Sequence, residues 1–297
     1  MRETCNTSEK MPITADHAIE VFNNATEENY LCSRRRKQVI YLPAEGELWV
    51  TADMHDHRRN FDKAVKSADL KNHRDRHLVF QELIHGDRID PNGCDGSWEM
   101  LYNAAELKCD FSSQVHFLLA NHDLAQIYGE GIMKAGMSVC EAFNAGLKRD
   151  FGTRHLTVSV AISEFLLSLP LAIRTANNLF LCHSLPTDAE IPNFDYTVFD
   201  RDLTGPDYQR RTGPVYQLIW GRHMTPAGVE QFADVLGVAV IITGHQPQDT
   251  GFAVNGQRHL IIASDHNQGV LIPINLAEEY DMPKLVKRIK KFAALPV

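Results

Sequence analysis

A chain of 297 residues with 44% hydrophobic and 23% charged side chains is long enough to bury one large core or two modest ones, which excludes an intrinsically disordered chain. A formal net charge of −8 excludes a general nucleic-acid binder, whose surface would be basic. No stretch approaches the ~20 apolar residues of a membrane span, and the opening "MRETCNTSEKMPITADH" lacks the apolar core of a signal peptide, so the expectation is a cytoplasmic protein without membrane contact.

From residue 15 to 27, Ala18, Ile19 and Phe22 fall at helical spacing. The basic run "SRRRKQ" (33–38) reads as a solvated turn before the strand-like "VIYLP". Short apolar runs then recur, and each ends in polar side chains. "ELWVTADMHDH" ends in Asp53, His55 and His57, and "HLVFQELIHGDRID" in Asp87 and Asp90. "QVHFLLANHD" ends in Asn121, His122 and Asp123, and "NNLFLCHSLP" in His183. "VAVIITGHQPQD" ends in His245 and Gln246, and "RHLIIASDHNQGV" in Asp265, His266 and Asn267. In open α/β sheets ligands gather at the carboxyl ends of strands, so these clusters are expected to converge on one edge.

The region of about 124–170, with "IMKAGMSVCEAFNAGLKRDFG" and "ISEFLLSLPLAIR", reads as a helical insertion on the same domain, and 192–216 as an irregular rim. The tail "MPKLVKRIKKFAALP" places Leu285, Val286, Ile289 and Phe292 on one side of an amphipathic helix that docks on the domain. The expected organisation is an N-terminal extension (1–46) packing on the domain, the domain itself (47–280) and a C-terminal helix (281–297).

Asp53, His55, Asp87, Asn121, His183 and His245 offer carboxylate, imidazole and amide oxygen without thiolate. That set suits Mn²⁺, Fe or Zn²⁺ in a catalytic role better than a structural zinc. It exceeds one tetrahedral ion and fits two ions roughly 3.5–4 Å apart with one shared carboxylate, the arrangement used on phosphate esters. Singly, an Asp after a strand reads as a turn or cap residue. Their combination in one chain decides for metal. The cysteines at 5, 32, 94, 109, 140 and 182 show no C-x-x-C spacing and read as scattered reduced thiols.

The order D-x-H, G-D-x-x-D, N-H-[DE], a lone His and G-H-Q resembles the calcineurin-like metallophosphoesterases, and among them the phosphoprotein phosphatase branch in its bacterial form. "ADMHDH" (52–57) stands for G-D-x-H-G, "GDRID" (86–90) for G-D-x-V-D-R-G, and "ANHDLAQIYG" (120–129) for G-N-H-E with its helix. "FLLSLPLAIRTANNLFLCHS" (165–184) and "FADVLGVAVIITGHQ" (232–246) supply the remaining segments, so the resemblance covers roughly 47–270. It implies an α/β protein with the four-layer α/β/β/α metallophosphoesterase fold, a central β-sandwich flanked by helices. It also implies a first ion on Asp53, His55 and Asp87, and a second on Asp87, Asn121, His183 and His245. Manganese is the foremost candidate, with iron or zinc as alternatives. A metal-bridging hydroxide would attack phosphorus, His122 would protonate the leaving oxygen, and Asp90 would orient His122. Asp123 is read as a helix cap.

Arg222 in "LIWGRHM" sits at a W-x-R position similar to a phosphate-binding arginine, against the competing reading of an exposed loop arginine. Pro91 replaces the arginine that follows the G-D-x-V-D pattern, leaving Arg88 or Arg59 to substitute. Asp56 replaces a glycine, and "SDHNQG" (264–269) replaces S-A-P-N-Y, which turns His266 toward the cleft as a substrate contact. The expected activity is phosphomonoester hydrolysis, as a Ser/Thr protein phosphatase. The alternatives are hydrolysis of dinucleoside polyphosphates or other nucleotide phosphoesters, and a metal-bearing binding protein with little turnover. The partner is then a phosphorylated protein or a nucleotide; the sequence leaves the oligomeric state open.

Overall fold

The computed structural model describes residues 12–129, 131–134 and 136–296. The strands are β1 (Arg35–Arg36), β2 (Val39–Leu42), β3 (Glu47–Asp53), β4 (Arg76–Gln81), β5 (Val115–Leu118), β6 (Met133–Lys134) and β7 (Met137–Ser138). They continue with β8 (Ala172–Thr175), β9 (Leu179–Cys182), β10 (Val240–Thr243), β11 (Phe252–Asn255), β12 (His259–Ile262), β13 (Val270–Asn275) and β14 (Lys290–Lys291). The helices are α1 (Ala15–Tyr30), α2 (Arg58–Ala68), α3 (Trp98–Asp110), α4 (Asn121–Tyr128), α5 (Val139–Phe151), α6 (His155–Leu167), α7 (Pro214–Trp220), α8 (Pro226–Leu236) and α9 (Met282–Val286).

Two sheets, ordered β1-β2-β8-β9-β10-β12-β11 and β14-β13-β3-β4-β5, carry the core. Side chains alternate across each strand, and in the central strands both faces are buried. In β4, Val79 joins Val50, Ile272, Ile173, Leu181 and Ile242 in the layer between the sheets. Its neighbours Leu78 and Phe80 point the other way, into the layer beneath the helices. Phe80 lies 4.8 Å from the Phe61 ring of α2 and 6.3 Å from Phe117 of β5, which meets Phe165 of α6, which meets Phe22 of α1. On the opposite side, Phe180 of β9 meets Phe199, and Phe232 of α8 meets Phe194 and Tyr196. The result is the four-layer α/β/β/α arrangement.

Strands β3, β4 and β5 run parallel, with α2 and α3 as the crossovers that parallel neighbours require. Strands β9, β10 and β12 are likewise parallel. Each set therefore presents its carboxyl ends together, which is what gathers the polar clusters.

Two segments differ from the sequence reading. The 281–297 helix is only α9; Lys290 and Lys291 then pair with Val270 and Leu271 as an edge strand. Leu285 is buried between the sheets and Phe292 beneath the helices, so one straight helix cannot bury both. Val297 lies outside the described residues. Within 1–46, the first eleven residues also lie outside them. The remainder is integral rather than appended: β2 pairs with β8, and Ile40 and Leu42 enter the inter-sheet core. The 124–170 region holds α4, α5 and α6, with a short β6–β7 ribbon between them. Among the described residues, no helix is long and apolar enough to cross a membrane.

Phe80 is fully buried in the aromatic row. Phe80→Ala should destabilise the fold by about 3–5 kcal/mol, read as a lowered urea midpoint; an unchanged midpoint would show that this row does not hold the helices to the sheet.

Candidate metal centre

Every cluster residue stands at or just past a strand end. Asp53 closes β3, and the His245 backbone N–H, just after β10, donates to both its oxygens at 3.0 Å. Gly244 is required there, since a Cβ would meet Asp53 Oδ1 at 2.4 Å. Glu82 follows the last residue of β4; its Oε1 accepts the His122 N–H at 3.0 Å. Its Oε2 lies 3.4 Å from His55 Nε2 and 3.8 Å from His183 Nε2. Asn121, after β5, places Oδ1 2.8 Å from His183 Nε2. His183 Nδ1 is also 3.6 Å from Asp53 Oδ1.

The loops are drawn in tightly to achieve this. His55, Glu82, His85 and His245 have φ of 40°, 46°, 62° and 64°, left-handed values that cost about 1–3 kcal/mol each for a side-chain-bearing residue. Backbone bonds offset the strain: Met54 and His55 N–H donate to Glu82 O, and Asp56 N–H to Leu83 O. His85 N–H donates to Ser97 Oγ at 3.0 Å.

The chemistry of the donor set fits a divalent cation. The Gln81 amide N–H donates to Thr51 O, so its Oε1 faces His183 Nδ1 at 3.2 Å as an acceptor for a proton there. Burial and the neighbouring His245 hold His183 well below its usual pKa. Its Nε2 faces the oxygens of Asn121 at 2.8 Å and Glu82 at 3.8 Å, so with the proton on Nδ1 this neutral ring offers its lone pair to a cation there. His55 repeats the pattern, with Nδ1 bonded to Ile84 O at 2.9 Å and Nε2 toward Glu82. Burial pushes Glu82 up to about 8, with Asp123 adding to the shift, and raises Asp53 well above the carboxylate range, with Glu82 adding. Converging lone pairs and crowded carboxylates of this kind are what a cation stabilises. Two compact donor groups result, His55–Glu82–His122 and Asp53–Glu82–His183, each with ligand atoms within 4.8 Å of one another. Glu82 belongs to both.

Asp87 and Asp90 are corrected. The Asp87 side chain is 82% exposed and pairs with Lys134 at 2.5 Å. Asp90 accepts from the Asn92 and Cys94 N–H groups and pairs with Arg149 at 2.8 Å. The literal Gly-Asp at 86–87 lies five residues beyond the end of β4. Gly86 serves a close approach, since a Cβ there would meet Asp56 Cβ at 2.6 Å and His55 O at 2.9 Å. Glu82 occupies the position assigned to Asp87, and His85, with Nδ1 2.9 Å from His122 Nδ1, the one assigned to Asp90. The signal for Glu82 is its place directly after β4, as Asn121 is the first polar residue after the apolar run that holds β5.

Asp123 Oδ2 accepts the Ala120 N–H at the start of α4, as a cap does. Arg222 Nε donates to His245 Nε2 at 3.0 Å, at the edge of the cluster. His245 itself lies outside the two compact groups, its ring centroid 5.0 Å from that of His183. Arg88 bonds the buried Asp56 carboxylate at 2.6 Å, as Arg58 does at 3.1 Å. Arg88, Arg58 and Arg59 line a cleft of about 260 Å³ beside His55. His266 is corrected: its Nε2 donates to Gln248 O, in the segment after β10, and its Nδ1 accepts the Gln268 N–H, so both nitrogens are engaged by backbone groups. The larger cleft, about 500 Å³ among Trp98, Asn103, Arg149 and Asp150, touches none of the clustered ligands.

Residues 47–249 match the model of the calcineurin-like phosphoesterase family. The chain belongs to that family. As a calcineurin-like phosphoesterase it is a metal-dependent hydrolase of phosphate esters, in a family that carries a dinuclear metal centre. No curated protein matches the chain. A protein serine/threonine phosphatase from Saccharomyces cerevisiae, described as similar to human phosphatase PP5, shares the fold with a TM-score of 0.69 and 16% identity, over 95% of this chain and 91% of that one. A cold-active protein-tyrosine phosphatase of a psychrophilic Shewanella aligns with a TM-score of 0.51 and 14% identity, over 80% of this chain and 77% of that one.

Glu82→Gln should cost this phosphoesterase at least one of two bound ions, whereas Asp87→Asn should leave both. Elemental analysis after dialysis decides; two ions retained in Glu82→Gln would remove Glu82 from the shared position.

Proposed function

We propose that this phosphoesterase hydrolyses phosphomonoesters of proteins, phosphoserine and phosphothreonine first, at a two-ion site centred on Glu82. The observation that carries the reading is the sharing of Glu82 Oε2 between two donor groups. Asp53, His55 and Glu82 would hold one ion, and Glu82, Asn121, His183 and His245 the other. Bound there, divalent cations supply Lewis-acid activation of water and screening of phosphoryl charge. The chain's own part is orientation. Gln81 and the Ile84 carbonyl fix the rings of His183 and His55, and the backbone N–H of His245 and His122 fix the two carboxylates. Arg222 is the arginine nearest the second set, and a guanidinium can grip a phosphoryl group bidentately. Arg88, held by Asp56, and Arg59 supply positive charge on the cleft beside His55. The phosphoprotein reading is supported by the fold shared with the yeast serine/threonine phosphatase over nearly the whole of both chains.

One observation favours a second reading. His122 faces His85 where a carboxylate was expected, so its partner brings no negative charge to favour a protonated, proton-donating ring. Substrates whose leaving group departs without a proton gain by this: aryl esters and the phosphoanhydrides of nucleotides.

Metal-loaded protein assayed on a phosphoserine peptide, p-nitrophenyl phosphate and a dinucleoside polyphosphate separates the readings. Comparable kcat/KM on the peptide and the aryl ester supports the first, and preference for the polyphosphate supports the second. No hydrolysis of any of them overturns both. Arg222→Ala should lower kcat/KM on the preferred substrate by roughly 10- to 1,000-fold, with Arg222→Lys recovering only part because a point charge lacks the planar fork. Wild-type rates in Arg222→Ala would leave the phosphate to Arg88, Arg59 or the ions.

A further inference from the structure

We propose that the cleft beside His55 is a second anion subsite, which takes an acidic side chain flanking the phosphorylated residue of the substrate. Arg88 grips that anion, and Asp56 is the positioning residue that aims Arg88. The inference rests on the phosphoprotein reading above and names which phosphoproteins the site prefers.

Asp56 follows the ligand His55 and is a buried carboxylate on a left-handed backbone, with φ of 54°. Gly86 admits it, since a Cβ there would meet Asp56 Cβ at 2.6 Å. Burying a charge is costly unless it is paired, and this one is paired twice. Its Oδ1 accepts from Arg58 Nε at 3.1 Å and its Oδ2 from Arg88 Nη2 at 2.6 Å. The two guanidiniums differ in what remains of them. Arg58 is committed within the protein, with Nη1 on Glu99 at 2.6 Å and Nη2 on Gly96 O at 3.3 Å. Arg88 uses Nη2 alone, on the carboxylate and on Asp56 O at 3.3 Å. Among the described residues nothing else bonds the Arg88 guanidinium, and its side chain is 61% exposed, so Nε and Nη1 are left for a ligand. A guanidinium pinned at one nitrogen keeps its planar fork oriented, and less freedom is lost when the other two grip an oxyanion.

The cleft matches such a ligand. Its volume of about 260 Å³ admits an acidic side chain, and Arg58, Arg59 and Arg88 line it. Two of its own acids are already paired, Asp56 with the two arginines and Asp87 with Lys134 at 2.5 Å. Asp265 is the remaining lining acid, and Arg59, whose side chain makes no ion pair with a described residue, offsets its charge. Of the clustered metal donors only His55 lines the cleft, so it adjoins the scissile phosphoryl group rather than enclosing it.

Metal-loaded protein is assayed on two phosphoserine peptides that differ only in carrying glutamate or glutamine on both sides of the phosphoserine. Wild type should favour the glutamate peptide by roughly 10- to 100-fold in kcat/KM, chiefly through KM. Arg88→Ala should bring that ratio close to one, whatever its absolute rates. Asp56→Asn keeps Arg88 but no longer aims it, and should lower the ratio by raising KM for the glutamate peptide. A merely structural Asp56 would slow both peptides alike and leave the ratio in place, which removes its positioning role. Equal kcat/KM on the two peptides in wild type overturns the subsite and leaves phosphomonoester hydrolysis standing. A wild-type ratio preserved in Arg88→Ala overturns it as well, since equal losses on both peptides put Arg88 on the scissile phosphate. Hydrolysis of neither peptide by wild type overturns the phosphoprotein reading and the subsite with it.

Discussion

An excess of acceptors around one buried carboxylate is the constraint from which the site follows. Glu82 Oε2, the Nε2 atoms of His55 and His183, and Asn121 Oδ1 are directed at one another, while the outward nitrogens of those rings are occupied elsewhere. Water would ordinarily separate such groups. Here the strands β3, β4, β5, β9 and β10 deliver them through their ends into a space that the alternation of core residues has already fixed. The sandwich sets the positions, the outer hydrogen bonds set the tautomers, and a cation is the remaining element that stabilises the arrangement.

The site also concentrates backbone strain. Among the described residues, ten side-chain-bearing positions have positive φ, and His55, Asp56, Glu82, His85 and His245 are among them. The 54–56 and 82–84 segments hold each other through paired backbone bonds, so neither loop relaxes alone. That mutual support explains why Gly86 and Gly244 stand beside them: the backbone approaches too closely there for any Cβ.

How much of this could be read beforehand depended on what each residue's neighbours reveal. Asp53, His55, Asn121, His183 and His245 follow apolar runs directly, and the structure brings all of them to one edge. Glu82 follows an apolar run too, but Gly-Asp five residues later matched the family pattern literally and diverted the assignment to Asp87 and Asp90. Strand register resolves it, because Asp53 pairs with Gln81 across β3 and β4, so the next residue faces the cluster. His85 left no comparable signal. Its role comes from Gln126 and Asn144, about 40 and 60 positions on, which are ordinary polar helix residues in the sequence. The tail failed for a similar reason: helical spacing of Leu285 and Phe292 does not disclose that they enter different layers.

The origin of the donors has a mechanical side. Asp53, Glu82 and Asn121 come from the five-stranded sheet, His183 and His245 from the seven-stranded one. Between the sheets the remaining contact is largely apolar and non-directional. An ion held by both sets would act as a rivet through the open edge of the sandwich, resisting the sliding of one sheet over the other that dispersion contacts oppose only weakly. Ion binding and sheet docking are then one linked equilibrium, in which an ion at 100 times its Kd adds about 2.7 kcal/mol to the assembled state. The reactive centre of this protein is, on that view, also its clasp.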